Sequence, residues 1–150
     1  MDNHAFILFE VAGTTYGIPS RDVQQMELID HITPLPNAPP YVDGVVFTRG
    51  QVIPAVNLRM RFGFERTPAT RRTRLIVISR RSRTIGLIVD SAREFMSIPG
   101  DAIRPPHEAI SNLSGSYLEG IAAIGDRIIL ILKVEELVGF AKVEAASGRN

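Results

Sequence analysis

Residues 119–133 read EGIAAIGDRIILILK, two apolar runs on either side of Gly125-Asp126. In the second run Ile128, Leu130 and Leu132 alternate with Ile129 and Ile131, so an extended chain presents apolar side chains on both faces. That pattern fits a strand held between two packed layers, and Gly125-Asp126 fits the tight turn of a β-hairpin. Similar short Ile- and Val-rich runs, bounded by Gly, Pro, Asn or Asp, recur at 5–11, 14–18, 23–29, 44–48, 51–57, 74–79 and 83–90. The class expected is therefore all-β, a barrel or a sandwich. Pro54 lies inside 51–57 and has no N–H for a ladder, which predicts an edge strand or a bulge there. Helix is expected to be scarce, with short pieces over 58–62, stopped by Gly63, and over 133–138, where Val134, Leu137 and Val138 share a face. Residues 34–40 hold four prolines and read as a connection; 64–73 and 104–116 read as loops, and 139–150 as a tail.

The chain has 150 residues, 45% hydrophobic and 22% charged, enough for one domain whose core needs no disulfide or metal. It contains no cysteine, which removes thiol chemistry, Cys-based zinc sites and disulfides together. No apolar run reaches the length of a membrane helix, and the start, Met1-Asp2-Asn3-His4, lacks the basic region of a signal peptide. A soluble, cytoplasmic protein is expected.

The sequence offers little for catalysis. His4, His31 and His107 are scattered, and there is no GxSxG elbow, no GxxxxGK[ST] loop and no GxGxxG turn. Glu135 and Glu136 would diverge by about 100° on a helix and so could not easily serve one substrate together. Asn112-Leu113-Ser114 fits a glycosylation sequon, which means little without a secretion signal. No enzyme activity, metal or cofactor is expected.

Residues 44–63, GVVFTRGQVIPAVNLRMRFG, read as a strand, a bend at Arg49-Gly50, a second strand and a short turn ending at Gly63. This block resembles the CheW family of chemotaxis coupling proteins, whose pattern is a GV-Asn-Leu-Arg-Gly hairpin, an IP-hydrophobic-Asp-Leu-Arg run and a closing Arg-Phe-Gly. YGIPSRDVQQM (16–26), PLPNAPPYVDGVV (34–46), IGLIVDSAREFMSIP (85–99) and YLEGIAAIGDRIILILKVEEL (117–137) are similar to family segments in the family's order. Together the matches span roughly residues 5–138.

The resemblance implies a CheW-like fold of two intertwined five-stranded SH3-like β-barrels with a few short helices, in a single domain. One barrel would use roughly residues 13–80, the other 83–138 completed by strand 5–11. It further implies a scaffold joining the regulatory domain of a CheA-type histidine kinase to the cytoplasmic tip of a transmembrane chemoreceptor. Matching positions place Val23 and Gln25 on the kinase-facing surface and Arg49 and Gly50 in complex assembly. Ile85, with a helix face holding Ala92 and Phe95, would lie near a groove between the barrels that docks a receptor helix.

Three positions depart from the family pattern. Phe47-Thr48 stands where Asn-Leu is usual, Asn57 replaces an acid, and Gln25 occupies a position often held by glutamate. Phe47 is expected either to be an exposed anchor that sets partner choice, together with Thr48, or to lie in the core beneath the hairpin. Residues 59–83 carry nine arginines against Glu65 alone, a local charge of +8 in a chain of net charge +1. That segment reads as a solvated loop and hairpin tip, as a modifier of partner choice, or as a nucleic-acid site. The last is weakened by its two aromatics, Phe62 and Phe64, a sparse stacking platform. A CheW-like scaffold of another pathway, such as pilus-based motility, fits the same residues.

Overall fold

The two-faced strand at Arg127–Leu132 serves two separate cores. In the computed structural model, which describes residues 3–110 and 117–139, Ile129 and Ile131 are buried in one apolar cluster while Leu132 is buried in another. The strands in chain order are β1 (Asn3–Val11), β2 (Thr14–Pro19), β3 (Val23–Leu28), β4 (Val42–Thr48), β5 (Gln51–Asn57) and β6 (Arg74–Arg80), then β7 (Arg83–Val89), β8 (Ser91–Pro99), β9 (Ile103–Arg104), β10 (Leu118–Ile124) and β11 (Arg127–Leu132). A single-turn helix, α1 (Leu58–Arg61), follows β5 directly. Asn57 caps it, its side-chain oxygen accepting from Met60 N at 3.2 Å while its amide donates to Asp43 at 3.1 Å.

Two sheets result, a six-stranded one ordered β8-β1-β2-β11-β10-β9 and a five-stranded one ordered β3-β6-β7-β5-β4. All pairings are antiparallel except β2 with β11 and β5 with β7. Strand division differs from the expected barrels at two points: 14–18 joins the six-stranded sheet and 83–89 the five-stranded one. The cause is local. Ala12-Gly13 and Arg81-Ser82 sit at positive φ in two-residue turns, which bind β2 to β1 and β7 to β6 in tight hairpins.

Alternation along each strand distributes side chains among three clusters. Ile7, Phe9 and Val11 of β1 enter a central core with Ile76 and Ile78 of β6, so this core lies between the sheets. Phe6 and Leu8 face the other way, to Ile129 and Ile131. Leu75 and Val77 of β6 join Val46 and Ile53 in the third. Each such fully buried side chain contributes about 1.5–3 kcal/mol relative to an exposed one. The helix over 134–139 buries Val134, Leu137 and Val138 in the central core, on the face expected.

Pro54 is neither at an edge strand nor in a bulge of β5, which lies between β4 and β7. Its neighbour across the ladder, Val45, exchanges both backbone hydrogen bonds with Thr33 on the outer side, so the Val45–Pro54 pair is one whose N–H groups point away from each other. Pairing of β5 with β7 begins only at Ala55, so a donor at Pro54 would have had no partner. The expected loop 104–116 yields β9 at its start and helix at 108–110; Asn112 to Ser114 and the tail from 140 lie outside the described residues.

Candidate partner-binding surfaces

β3 and β4 are opposite edges of the five-stranded sheet, yet their side chains touch. Gln25 Nε2 donates to Thr48 Oγ1 at 2.6 Å, Thr48 Oγ1 donates to Glu27 Oε2 at 2.5 Å, and Gln25 also donates to Glu27. The sheet therefore curls until its edges meet, and these three residues close the seam over the cluster holding Val46 and Val77. Val23 and Gln25 flank a bulge against β6, with Val23 packed on the central core. Thr48 is buried, so of the Phe47-Thr48 pair only Phe47 reaches solvent. Replacing Thr48 with leucine is expected to destabilise the fold by about 1–3 kcal/mol, since the Glu27 carboxylate loses a donor at a half-buried seam. Urea unfolding measures it.

The hairpin closes at Arg49 (φ 50) and Gly50 (φ 80), both exposed, and Arg49 makes no ion pair among the described residues. Phe47 is 74% exposed, which removes the core alternative, and directly across the ladder Val52 is 62% exposed. With Leu28, also exposed, they border a groove of about 260 Å³ whose rim includes Asp30 and His31. Val52 and Leu28 were not among the expected site residues. Val52 was legible, because a two-residue turn at Arg49-Gly50 sets it opposite Phe47.

The second expected surface is built differently from expectation. Ser91–Pro99 is a strand, so Ala92 and Phe95 do not share a helix face. A bulge restores them to one side: Ala92 pairs with Phe9 and Phe95 with Ile7, while Glu94 pairs with Leu8, leaving Arg93 as the extra residue. Ile7 and Phe9 both face the central core, so Ala92 packs at its margin and Phe95, 67% exposed, projects beyond it. Ile85 is buried in that core at 2% exposure and has no surface to offer a partner.

Much of the arginine-rich segment is spent internally. Arg59 pairs with Asp90 at 2.9 Å, Arg66 with Asp43 at 2.7 Å, Arg80 with Asp22 at 2.9 Å, and Arg81 with Glu135 at 2.8 Å. The Asp22 hydrogen bond raises the pKa of Arg80 against the effect of burial, with the Asp22 and Glu135 charges adding to it, and Asp90 does the same for Arg59. Arg61 sits over the rings of Tyr41 and Tyr117, at 4.9 and 5.2 Å. Among the described residues, only Arg71, Arg72 and Arg83 of this segment are left with neither an ion pair, a ring contact nor a carbonyl partner, so the segment is a poor cationic footprint for nucleic acid. His4, His31 and His107 are exposed, and no group of three or more His, Asp or Glu side chains among the described residues is placed to hold a metal. No helix among them is long and apolar enough to cross a membrane.

These features define a two-sheet all-β domain with exposed apolar side chains on both sheets. A CheW-like domain model matches residues 5–142. The chain is 30% identical over 133 residues to the chemotaxis protein CheW of Klebsiella aerogenes, covering 89% of this chain and 80% of the relative. It is 32% identical over 143 residues to protein FrzA of Myxococcus xanthus, covering 95% and 89%. Among solved structures it resembles the scaffolding protein TtCheW of Thermoanaerobacter tengcongensis, with a TM-score of 0.81, 30% identity, and 89% and 90% of the two chains covered. The chain belongs to the CheW-like domain family. It is a coupling adaptor of chemosensory signalling.

Proposed function

We propose that this chain works in the cytoplasm, by contact alone, to join the regulatory domain of a CheA-type histidine kinase to the cytoplasmic tip of a transmembrane chemoreceptor. The kinase face is the seam of the five-stranded sheet, with Phe47, Arg49, Gly50 and the rim formed by Val23 and Gln25. The receptor face is the margin of the central core at Ala92 and Phe95, where a helix lies along the junction of the sheets. One observation carries the reading: two exposed faces, each with a protruding aromatic, belong to different sheets that share one buried core. A rigid body of that kind holds two partners in fixed geometry, and the signal is then a population shift in the kinase, with no reaction on the adaptor.

Co-purification tests the reading: kinase and receptor tip are both retained by the wild-type chain, and loss of both defeats it. Arg49→Glu should leave melting unchanged, because the side chain is exposed and without an ion pair among the described residues. It should weaken kinase association by about tenfold, through repulsion of a partner carboxylate. Titration calorimetry of the folded variant reads the change, and unaltered affinity removes Arg49 from the contact.

A further inference from the structure

The six-stranded sheet closes around a core of its own, and one end of that core opens. Ile98 of β8 and Ile103 of β9, from opposite edges of the sheet, pack in one cluster with Phe6 and Ile131. Where β1 begins and β11 ends, Phe6, Ile103 and Ile131 line a cavity of about 790 Å³, in the size range of small-molecule pockets and larger than the seam groove. Its rim is charged. Arg21, on the short turn between β2 and β3, and Lys133, directly after β11, both border it, and neither takes part in an ion pair or a side-chain hydrogen bond among the described residues. Arg80 and Glu135, also at the rim, are already joined to each other at 3.5 Å, and Arg80 to Asp22 at 2.9 Å. Glu119 is the acidic lining residue left outside any ion pair among the described residues. The uncommitted charges are thus Arg21 and Lys133 against Glu119, a positive surplus above an apolar floor.

We infer that this cavity binds a small amphipathic monoanion, its apolar ring body on Phe6, Ile103 and Ile131 and its carboxylate, sulfonate or phosphodiester group at Arg21 and Lys133. The arginine fork grips two anionic oxygens at once and the lysine adds a point charge. Glu119 repels a second negative group, so a polyphosphate is a poor ligand. The lining includes no residue of the kinase or receptor faces, so a ligand here leaves both uncovered. Arg21 leads into β3 of one sheet and Lys133 leaves β11 of the other, so a bound anion ties the two sheets together at this end.

The probe is anilinonaphthalene sulfonate, an aromatic body with a single sulfonate, titrated into the full chain and followed by fluorescence and calorimetry. Saturable one-to-one binding is expected with a Kd of roughly tens of micromolar, ordinary for a molecule of that size. Arg21→Gln should weaken it about tenfold and Lys133→Gln about fivefold, with melting temperatures unchanged. Phenylnaphthylamine, which has the same rings and no sulfonate, should bind the wild-type chain about tenfold less tightly and be indifferent to Arg21→Gln. Ile128→Thr, at the exposed far end of β11, is the control for dye on other apolar surface and should leave affinity within about twofold. Should Lys133→Gln melt early, Arg21→Gln, on an exposed side chain, decides alone. The inference is overturned by a wild-type chain that shows no saturable binding, by charge variants that keep affinity within about twofold, or by an Ile128→Thr loss as large as theirs.

Discussion

Replacing Phe9 with alanine is expected to destabilise the protein by about 3–5 kcal/mol, the range for truncating a buried phenylalanine. Phe9 is 1% exposed and stacks on Tyr16 at a centroid distance of 5.7 Å. Tyr16 in turn meets Phe62 at 5.4 Å, and Phe62 meets Tyr117 at 5.9 Å, so the ring series runs from the six-stranded sheet to the turn after α1 and back. A void at Phe9 cannot be filled by collapse, because β1 is pinned by ladders to β2 on one side and β8 on the other. For a domain of this length the loss is a fall in Tm of roughly 10 °C or more. Calorimetry and urea unfolding of the variant measure it, and a change below about 1 kcal/mol would mean that the central core does not bind the sheets together.

Gly44→Ala should be nearly as damaging, for a reason of space and backbone. Gly44 has φ +147, and a Cβ there would stand 2.1 Å from the carbonyl oxygen of Thr33 and 2.7 Å from its carbon. That carbonyl cannot retreat freely, since it accepts from Val45 N at 2.8 Å while Thr33 N donates to Val45 O at 2.9 Å. Strain of about 1–3 kcal/mol adds to the loss of two hydrogen bonds worth about 1 kcal/mol each, for a total of about 3–5 kcal/mol in urea unfolding. Gly50 is the internal control. It too has positive φ, but nothing lies within 4 Å of its Cβ position, so its replacement by alanine meets backbone strain alone. Equal effects at the two positions would show that the Thr33 contact is not what Gly44 protects.

The strands of this fold were legible because Ile and Val alternate in short runs whose two faces enter different cores, as at Ile129 and Leu132. β8 was not, because its bulge at Arg93 breaks the period of two and leaves Ala92-Arg93-Glu94-Phe95 with the spacing of a helix turn. The exposure of Phe47 and the burial of Ile85 were equally hidden, since an apolar residue in a strand reads the same on either side of a sheet. Charge counting misread the arginines for another reason. Asp22, Asp43, Asp90 and Glu135 are distant in sequence and become partners only through the sheet crossings. At the seam, the Arg49-Gly50 bend was plain from sequence, whereas the Gln25–Thr48–Glu27 closure depends on curvature that no local pattern encodes.

The strand order also sets a timetable for synthesis. The five-stranded sheet needs only residues 23–89, and all its members can pair once β7 has left the ribosome. The six-stranded sheet includes β1 and β2 but finds the parallel neighbour of β2 only in β11, which ends at Leu132. Until then the β1–β2 hairpin presents an unpaired edge and the apolar side chains Phe6 and Leu8, whose buried partners Ile129 and Ile131 do not yet exist. A nascent chain of this architecture therefore carries a half-built, sticky sheet from the synthesis of β2 until that of β11. The early completion of the other sheet, which covers the Ile7 and Phe9 face of β1, shortens the list of surfaces a chaperone has to guard.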